Sequence, residues 1–305
     1  MRVTPQELAA GITWDLAIGD PRWLPHPVRG IGLLASVAER FWRGTKLPPR
    51  AAGALFWISV VGTSLAVVRL TLPWGTVYWI YSLLACRDLD VEAGRVMRAL
   101  RNGNLEESRR ELSRIVGRDT GTLDEPEILR ATVETVAENL SDGVIAPLLY
   151  LAAGGPLGMA AYKAINTLDS MVGYRSERYR EFGWASARMD DLANFLPARL
   201  TAILIWVGAL LLGFDARRSI RVTLRDAASQ PSPNSGYPEA AIAGALGIQL
   251  GGLNFYKGVP SLKPKLGDAV RPVDYRAFQG VRRLLYVSEA LMAAAIFMKW
   301  HWKWN

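Results

Sequence analysis

Long apolar runs alternate along the chain with stretches that are dense in arginine and carboxylates. The first run covers residues 51–86 and contains the turn signal Pro73-Trp74-Gly75, which favours a helical hairpin. The other runs are 143–165, 198–214 and 284–298. Because a helix needs roughly 20 apolar residues to cross a bilayer, the pattern predicts an all-α, polytopic membrane protein whose shorter runs are tilted, re-entrant or buried against protein.

Two polar regions, residues 87–142 and 215–283, lie between these runs, and we expect both to consist of helices and loops. In the first region, Asp124 and Glu127 form a capping-box pattern with Pro126 in the first turn. This pattern predicts a helix that starts there and runs to about Leu140.

The apolar run 143–165 is interrupted by Gly154-Gly155-Pro156, which supports two half-helices as well as one straight span. Polar motifs flank this run on both sides, and residues of one active site must meet on one membrane face or in one cavity. A re-entrant hairpin would keep the two flanks together. We therefore expect Asp142 and Asp169 to face the cytoplasm.

The formal charge of +8, from 36 basic and 28 acidic residues, suits either nucleic acid or an anionic membrane face. The apolar runs favour the membrane, and no tract of basic residues interleaved with aromatics is present. Membrane lipid is therefore an expected partner and nucleic acid is not. The chain also lacks GxxxxGK[ST], GxSxG and HExxH, which disfavours P-loop NTPases, α/β-hydrolases and zincins.

Three carboxylates, Glu134, Glu138 and Asp142, follow one another at spacings of four residues, which places them along one helix face. Acids that close together repel one another unless their charge is neutralised. Mg²⁺ bridging nucleotide phosphates would do this, because it takes oxygen ligands. A solvated helix face with Arg130 as the ionic partner explains the same spacing. The spacing alone therefore favours neither the metal site nor the solvated face.

A second polar group follows the run 143–165. Asn166 and Asp169 precede Arg175, Arg178 and Arg180. Guanidinium groups match phosphate oxygens in pairs, but positive residues beside a membrane span also arise for topological reasons. Farther along, Asp190, Asp191 and Asn194 form a DDxxN grouping that would hold a metal ion or simply cap and solvate a helix.

Prolines and a glycine constrain the backbone of the segment QPSPNSGYPE around Asn234 and Glu239. Rigid loops of this kind position substrate groups, although an ordinary connector explains the segment too. His26 lies between two prolines. A base, a substrate contact and a plain loop residue are all compatible with this position. No second histidine lies near it, which argues against zinc.

Four strings together resemble the CobD/CbiB family of cobalamin biosynthesis, in the order in which that family carries them. They are GDPRWLPHPVRGIG from Gly19, ETVAENLSDGVIAPL from Glu134, YKAINTLDSMVGYRSERYREFGWASARMDDLANFLPARLTA from Tyr162, and SPNSGYPEAAIAGALGIQLGG from Ser232. The resemblance covers nearly the whole chain and implies a single membrane domain over residues 1–305 with an active site at the cytoplasmic face of the cell inner membrane.

The resemblance implies an acid–amine ligase, an adenosylcobinamide-phosphate synthase that uses ATP and Mg²⁺. Its substrates would be adenosylcobyric acid, a corrinoid, and (R)-1-amino-2-propanol or its O-phosphate. On the matched motifs, the expected Mg²⁺ ligands are Glu138, Asp142, Asp190 and Asp191. Phosphate or substrate contacts are expected from Arg175, Arg178, Arg188, Asn194 and His26, and catalytic roles from Asp169, Glu239, Asn166 and Asn234.

Two other classes compete with the enzyme. A transporter would place ionisable groups in the middle of its spans and often has related halves, whereas here these groups lie at the ends of runs and no repeat is visible. A non-catalytic membrane scaffold for other enzymes of the pathway is the second alternative. Release of phosphate from ATP only when both substrates are present would distinguish an enzyme from either.

Overall fold

The computed structural model describes residues 3–21, 23–174 and 176–302, and most of them are helical. The helices are α1 (Pro5–Ile18), α2 (Pro27–Arg43), α3 (Pro49–Leu83), α4 (Cys86–Arg101), α5 (Leu105–Leu112), α6 (Glu125–Leu140), α7 (Ala146–Val172), α8 (Trp184–Ala193), α9 (Phe195–Leu211), α10 (Ala216–Asp226), α11 (Gly236–Leu246) and α12 (Tyr275–Trp302). A π-helical turn, Ser141–Ile145, joins α6 to α7.

A β-hairpin made of β1 (Leu250–Tyr256) and β2 (Val259–Leu266) departs from the purely helical prediction. It lies in the polar region 215–283, and its strands pair antiparallel with Leu253 opposite Leu262 and Asn254 opposite Ser261. Gly251 and Gly252 have φ values of 83° and 99°, which right-handed helices exclude. The fold is therefore mostly helical with one hairpin.

The chain divides into two compact units, and each is built from separate segments. Unit 1 comprises Met1–Ala85, Ala146–Phe195 and Ile296–Asn305, and unit 2 comprises Cys86–Ile145 and Leu196–Ala295. The expectation of a single membrane domain over residues 1–305 stays a prediction.

Both helix breaks that the sequence indicated occur in unit 1. Within α3, Gly75 leaves helical geometry with φ −144° and ψ 22°. Within α7, Gly155 adopts φ 64° and ψ −160° immediately before Pro156, a backbone conformation that is open essentially to glycine alone. The chain therefore interrupts its apolar runs where glycine and proline occur, and the re-entrant path stays a prediction.

The core of unit 1 is a cluster of buried apolar side chains from α2, α3 and α7 together with Phe182. Gly53 allows α3 to pack closely against the backbone at Phe182. A Cβ built on Gly53 would lie 1.9 Å from the Phe182 carbonyl oxygen, so no side chain fits between the two. Phe56, one turn along α3, packs its ring against Phe182 at 5.1 Å between centroids.

The predicted start of α6 in unit 2 is confirmed. The Asp124 side chain accepts a hydrogen bond from the Glu127 backbone N–H, and the Glu127 side chain accepts one from the Asp124 N–H. This reciprocal cap satisfies two backbone donors that a helix start otherwise leaves without partners. The helix ends at Leu140, as predicted.

Within the described part of the chain, three helical stretches are long and apolar enough to cross a membrane. They are Pro49–Leu72, Glu125–Val172 and Trp184–Leu211. The second continues through the π-helical turn and the break at Gly155. These stretches support the assignment of the chain as a membrane protein.

The close approach at Gly53 generates a stability prediction. We expect Gly53→Ala to destabilise the protein by about 1–3 kcal/mol, the usual range for overpacking, because backbone must move to admit the methyl group. Gly62→Ala on the same helix is the matched control, since a Cβ there meets nothing within 4 Å. Thermal unfolding of both variants in detergent measures the difference, and equal transition temperatures would contradict the packing argument.

Candidate functional site

A buried ionic network in unit 2 centres on Glu134 of α6, whose side chain is withdrawn from solvent. Arg118 Nη2 donates to Glu134 Oε2 at 2.5 Å, and Arg130 Nη1 donates to Oε1 at 3.1 Å. The Gly251 backbone N–H also donates to Oε1, at 2.8 Å. Both carboxylate oxygens therefore have charged or polar partners, as a buried carboxylate requires.

The hairpin joins this network through Asn254. Its Oδ1 accepts a hydrogen bond from Arg118 Nη1 at 2.6 Å, and Arg130 Nη1 donates to the Gly251 carbonyl at 2.7 Å. The two arginines thus connect Glu134 to the first strand of the hairpin. Arg130 was the partner in the alternative interpretation of the acidic face, and the pairing is observed, but Glu134 is buried rather than solvated.

Glu239 lies in the first turn of α11 and is 1% exposed. Burial, followed by the neighbouring charge of Glu138, raises the pKa of Glu239 to about 8, although Lys263 of β2 opposes this shift. Burial alone would lower the pKa of Lys263, but the charges of Glu239 and Glu138 outweigh it and raise that pKa. Burial and the charge of Glu138 therefore favour the protonated form of Glu239, and the charge of Lys263 favours the ionised form.

The loop before α11 fixes the backbone at Asn234 through local contacts. Ser232 Oγ accepts hydrogen bonds from the backbone N–H groups of Asn234 and Ser235, at 3.3 and 3.2 Å. A Cβ on Gly236 would lie 2.1 Å from the Ala227 carbonyl oxygen, so α11 begins against neighbouring backbone. Asn234 is buried in this arrangement.

The predicted metal ligands Glu138 and Asp142 follow Glu134 along the same stretch of chain. Glu138 is exposed and lies one turn after the buried Glu134, while Asp142 is partly buried within the π-helical turn. A turn of this kind is rare and occurs frequently at functional sites. The spacing of the acids did not indicate it.

In unit 1, three of the predicted residues lie together around Asp190 of α8. Asn166 Nδ2 donates to Asp190 Oδ1 at 3.3 Å, and Asn194 Nδ2 donates to Oδ2 at 3.0 Å. Tyr162 donates its hydroxyl proton to Asn194 Oδ1 at 2.8 Å and stacks on Tyr150. Two side-chain amides therefore orient the Asp190 carboxylate, and the Tyr162 hydroxyl in turn orients the amide of Asn194.

Asp190 fits the role of a Mg²⁺ ligand. Each of its oxygens accepts one of these amide hydrogens, and ligating carboxylates in metal sites are themselves hydrogen-bonded in this way. Mg²⁺ usually takes one or two protein carboxylates and keeps several waters. Asp191 Oδ2 is 3.9 Å from Arg188 Nη1, and adjacent residues of a helix do not face the same way.

The predicted phosphate contacts of unit 1 have carboxylate neighbours. Arg178 Nη2 lies 3.0 Å from Glu39 Oε1, and Arg188 lies near Asp191. His26 Nε2 is 3.0 Å from Asp20 Oδ1. Asp169 lies on α7 one turn after Asn166. Arg175 lies outside the described residues.

Sequence reasoning did not single out Arg118, Asn254 or Lys263. Arg118 lies in the polar region without a recognisable motif. Lys263 and Asn254 lie on strands whose exposed positions, Leu253, Phe255 and Leu262, are apolar. The sequence did carry one signal, a lysine among alternating apolar residues. That signal points to a partly buried lysine only if the segment is first predicted to be a strand.

Comparisons with known proteins give a consistent result. The family profile described as CobD/Cbib protein matches residues 8–285. The cobalamin biosynthesis protein CobD of Geobacter metallireducens is 52% identical over 296 residues, which cover 91% of each chain. The cobalamin biosynthesis protein CbiB of Salmonella typhi is 47% identical over 309 residues, covering 95% of this chain and 96% of that protein. No solved structure matches the chain.

The network around Glu134 predicts a large loss of stability on removal of its carboxylate. We expect Glu134→Ala to destabilise the protein by about 3–5 kcal/mol, because the buried Arg118 and the partly buried Arg130 would lose their counterion. Glu106→Ala, which removes a carboxylate that is 90% exposed and 3.5 Å from Arg109, is the control and should leave unfolding nearly unchanged. Denaturant unfolding followed by tryptophan fluorescence compares them. Similar midpoints for the two variants would show that the network contributes little.

Proposed function

This chain belongs to the CobD/CbiB family, and we propose that it is an acid–amine ligase of cobalamin biosynthesis that joins (R)-1-amino-2-propanol or its O-phosphate to adenosylcobyric acid. The product is adenosylcobinamide or its phosphate, and ATP is the co-substrate. The names of the relatives support the pathway, and the buried carboxyl of Glu239 beside Lys263 and Glu138 is the observation that supports chemistry at this site.

The proposed reaction has two steps because a carboxylate is a poor acyl donor. First, a propionate carboxylate oxygen of the corrinoid attacks the γ-phosphorus of ATP, which gives an acyl phosphate and ADP. Next, the amine nitrogen attacks the carbonyl carbon, the carbon–oxygen bond to phosphate breaks, and inorganic phosphate leaves. The nitrogen gives up one proton to a base as the amide forms.

Glu239 is the proposed base. General bases work best when their pKa lies near the working pH, and burial brings the pKa of Glu239 to about 8. Lys263 would stabilise the carboxylate form when Glu239 is ionised. Asp169, a partly buried residue of α7, is the other candidate base, with Asn166 and Asn234 orienting substrates.

We propose the carboxylates Glu138 and Asp142 in unit 2, and Asp190 and Asp191 in unit 1, as candidate Mg²⁺ ligands, with Asp190 the strongest because amides orient it. Mg²⁺ neutralises the phosphate oxygens of ATP when it is bound. Asn194, His26 and the arginines 175, 178 and 188 are the proposed substrate contacts. Arg178 would have to exchange Glu39 for a phosphate.

We place this activity at the cytoplasmic face of the inner membrane, in a multi-pass protein. The three stretches able to cross a membrane support the membrane assignment. The corrinoid, the amine and lipid are the proposed partners, together with other enzymes of the pathway.

An assay of phosphate release tests the reaction class. The purified protein in lipid nanodiscs should release inorganic phosphate from ATP only when adenosylcobyric acid and an amine are both present. Comparison of aminopropanol with its O-phosphate identifies the natural amine. A scaffold or a transporter would release no phosphate that depends on both substrates, and that result would reject the ligase.

The base assignment predicts a pH dependence. Because the ionised form of Glu239 accepts the proton, kcat/KM should rise with pH through about 8 and then level off. Glu239→Gln should lower kcat/KM by about 10²–10⁴-fold and remove this step from the profile, whereas Glu239→Asp should keep a titrating step. A Glu239→Gln profile that retains the step near pH 8 would transfer the role to Asp169.

The metal assignment predicts a changed Mg²⁺ requirement. Asp190→Asn replaces a charged ligand by a neutral amide, so the Mg²⁺ concentration for half-maximal rate should rise on the order of tenfold or more. Glu177→Gln, which neutralises an exposed carboxylate in the same unit, is the control. Both variants should reach the membrane at normal levels. An unaltered Mg²⁺ titration of Asp190→Asn would leave Asp190 as a helix-end hydrogen-bond acceptor only.

A further inference from the structure

A cavity of about 830 Å³ lies in unit 2 where the first turns of α10 and α12 approach the end of α11. Its volume is within the range of small-molecule sites in proteins. Four arginines line it: Arg218, Arg271, Arg276 and Arg283. No motif of the sequence included these residues, and none of them belongs to the site around Glu239.

The cavity carries more positive than negative charge. Its two acidic residues, Asp215 and Asp274, already serve as helix caps. Asp215 Oδ1 accepts the Arg218 backbone N–H at 2.8 Å, and Asp274 Oδ1 accepts the Ala277 N–H at 3.0 Å. Four guanidinium groups against two carboxylates leave a net charge of +2.

The arginines differ in how far their charge is compensated. Arg218 Nη2 lies 3.1 Å from Asp215 Oδ2. Over residues 3–21, 23–174 and 176–302, no ion pair joins Arg271, Arg276 or Arg283 to a carboxylate, and all three are exposed. Like charges gathered around one space repel each other, so a ligand that neutralises them gains binding energy.

The backbone that carries these arginines is fixed by local contacts. Gly247 ends α11 with φ 67°, and its carbonyl accepts the Arg271 backbone N–H at 3.0 Å. Arg218 Nη1 lies only 2.6 Å from the position that a Cβ of Gly247 would take, so the guanidinium extends across this glycine. These contacts hold the Arg218 guanidinium and the Arg271 backbone in place at the end of α11.

We propose that this cavity binds a polyphosphate group. Guanidinium groups donate paired hydrogen bonds to phosphate oxygens. A volume of about 830 Å³ admits more than one phosphate. The group belongs either to a nucleotide or to the headgroups of anionic lipid, and both share this chemistry.

The proposed site is separate from the proposed base. Glu239 is in the first turn of α11, whereas the cavity is lined by Ala245 and Leu246 at the other end of that helix. At about 1.5 Å per residue, the two lie roughly 10 Å apart along the helix axis. The proposal goes beyond the ligase reaction, because none of the residues proposed for catalysis, Mg²⁺ or substrate contacts lines this cavity.

The test is a binding titration of the full-length protein in nanodiscs of phosphatidylcholine, with inorganic tripolyphosphate and ATP as the probes. We expect the double variant Arg276→Gln with Arg283→Gln to weaken tripolyphosphate binding on the order of tenfold for each arginine. The matched control is Arg217→Gln with Arg221→Gln, which removes two exposed arginines of α10 outside the cavity and should change binding by less than about twofold.

The same titration identifies the source of the phosphates. Weakened binding of both ATP and tripolyphosphate in the cavity variant supports a nucleotide. If phosphatidylglycerol in the nanodisc suppresses tripolyphosphate binding to the wild type but not to the cavity variant, the ligand is a lipid headgroup. The Arg276→Lys with Arg283→Lys variant retains charge and should bind with intermediate affinity, which separates a lost site from a misfolded protein. Equal affinities in the wild type and both glutamine variants, or no binding to the wild type, would overturn the proposal.

Discussion

The burial of one carboxylate, that of Glu134, constrains the architecture of unit 2. A charge withdrawn from water must be balanced by nearby groups, and here Arg118, Arg130 and the Gly251 N–H provide that balance. These groups come from a loop, from α6 itself and from the hairpin. The three elements must therefore be in place together, and with them the neighbouring Glu138 and Lys263 of the candidate site.

The burial of Glu134 is also reflected in which side chains of the hairpin are buried and which are exposed. Antiparallel strands at a protein surface usually turn apolar side chains inward and polar ones outward. Here Asn254 and Lys263 are withdrawn toward the ionic network, whereas Leu253, Phe255 and Leu262 are exposed. The buried carboxylate of Glu134 therefore has its hydrogen-bond partners on the face of the hairpin that carries Asn254.

Local features were predictable from the sequence. The capping box fixes the start of α6, and glycine beside proline breaks α7 at Gly155, because both effects act within a few residues. Asn166, Asp190 and Asn194 were each candidates from two separate motifs, but the hydrogen bonds that join them were not predicted. The partners of Glu134 and the arginines of the cavity were not predicted, since they come from positions distant in sequence and only folding brings them together. The hairpin was missed because two glycines near the start of β1 and two prolines in β2 weaken the strand pattern.

The hydrogen bond from Gly251 to Glu134 has a consequence for biosynthesis, because the two residues are 117 positions apart. A ribosome that adds about 5–20 residues per second needs roughly 6–23 s to pass from one to the other. Arg118 and Arg130 precede Glu134 in the chain, so counterions are available as soon as the acid emerges, while the hairpin arrives last. The nascent α6 can therefore fold with the charge of Glu134 already balanced by arginines. The order of these residues along the chain provides a counterion for Glu134 before the Gly251 N–H has been synthesised.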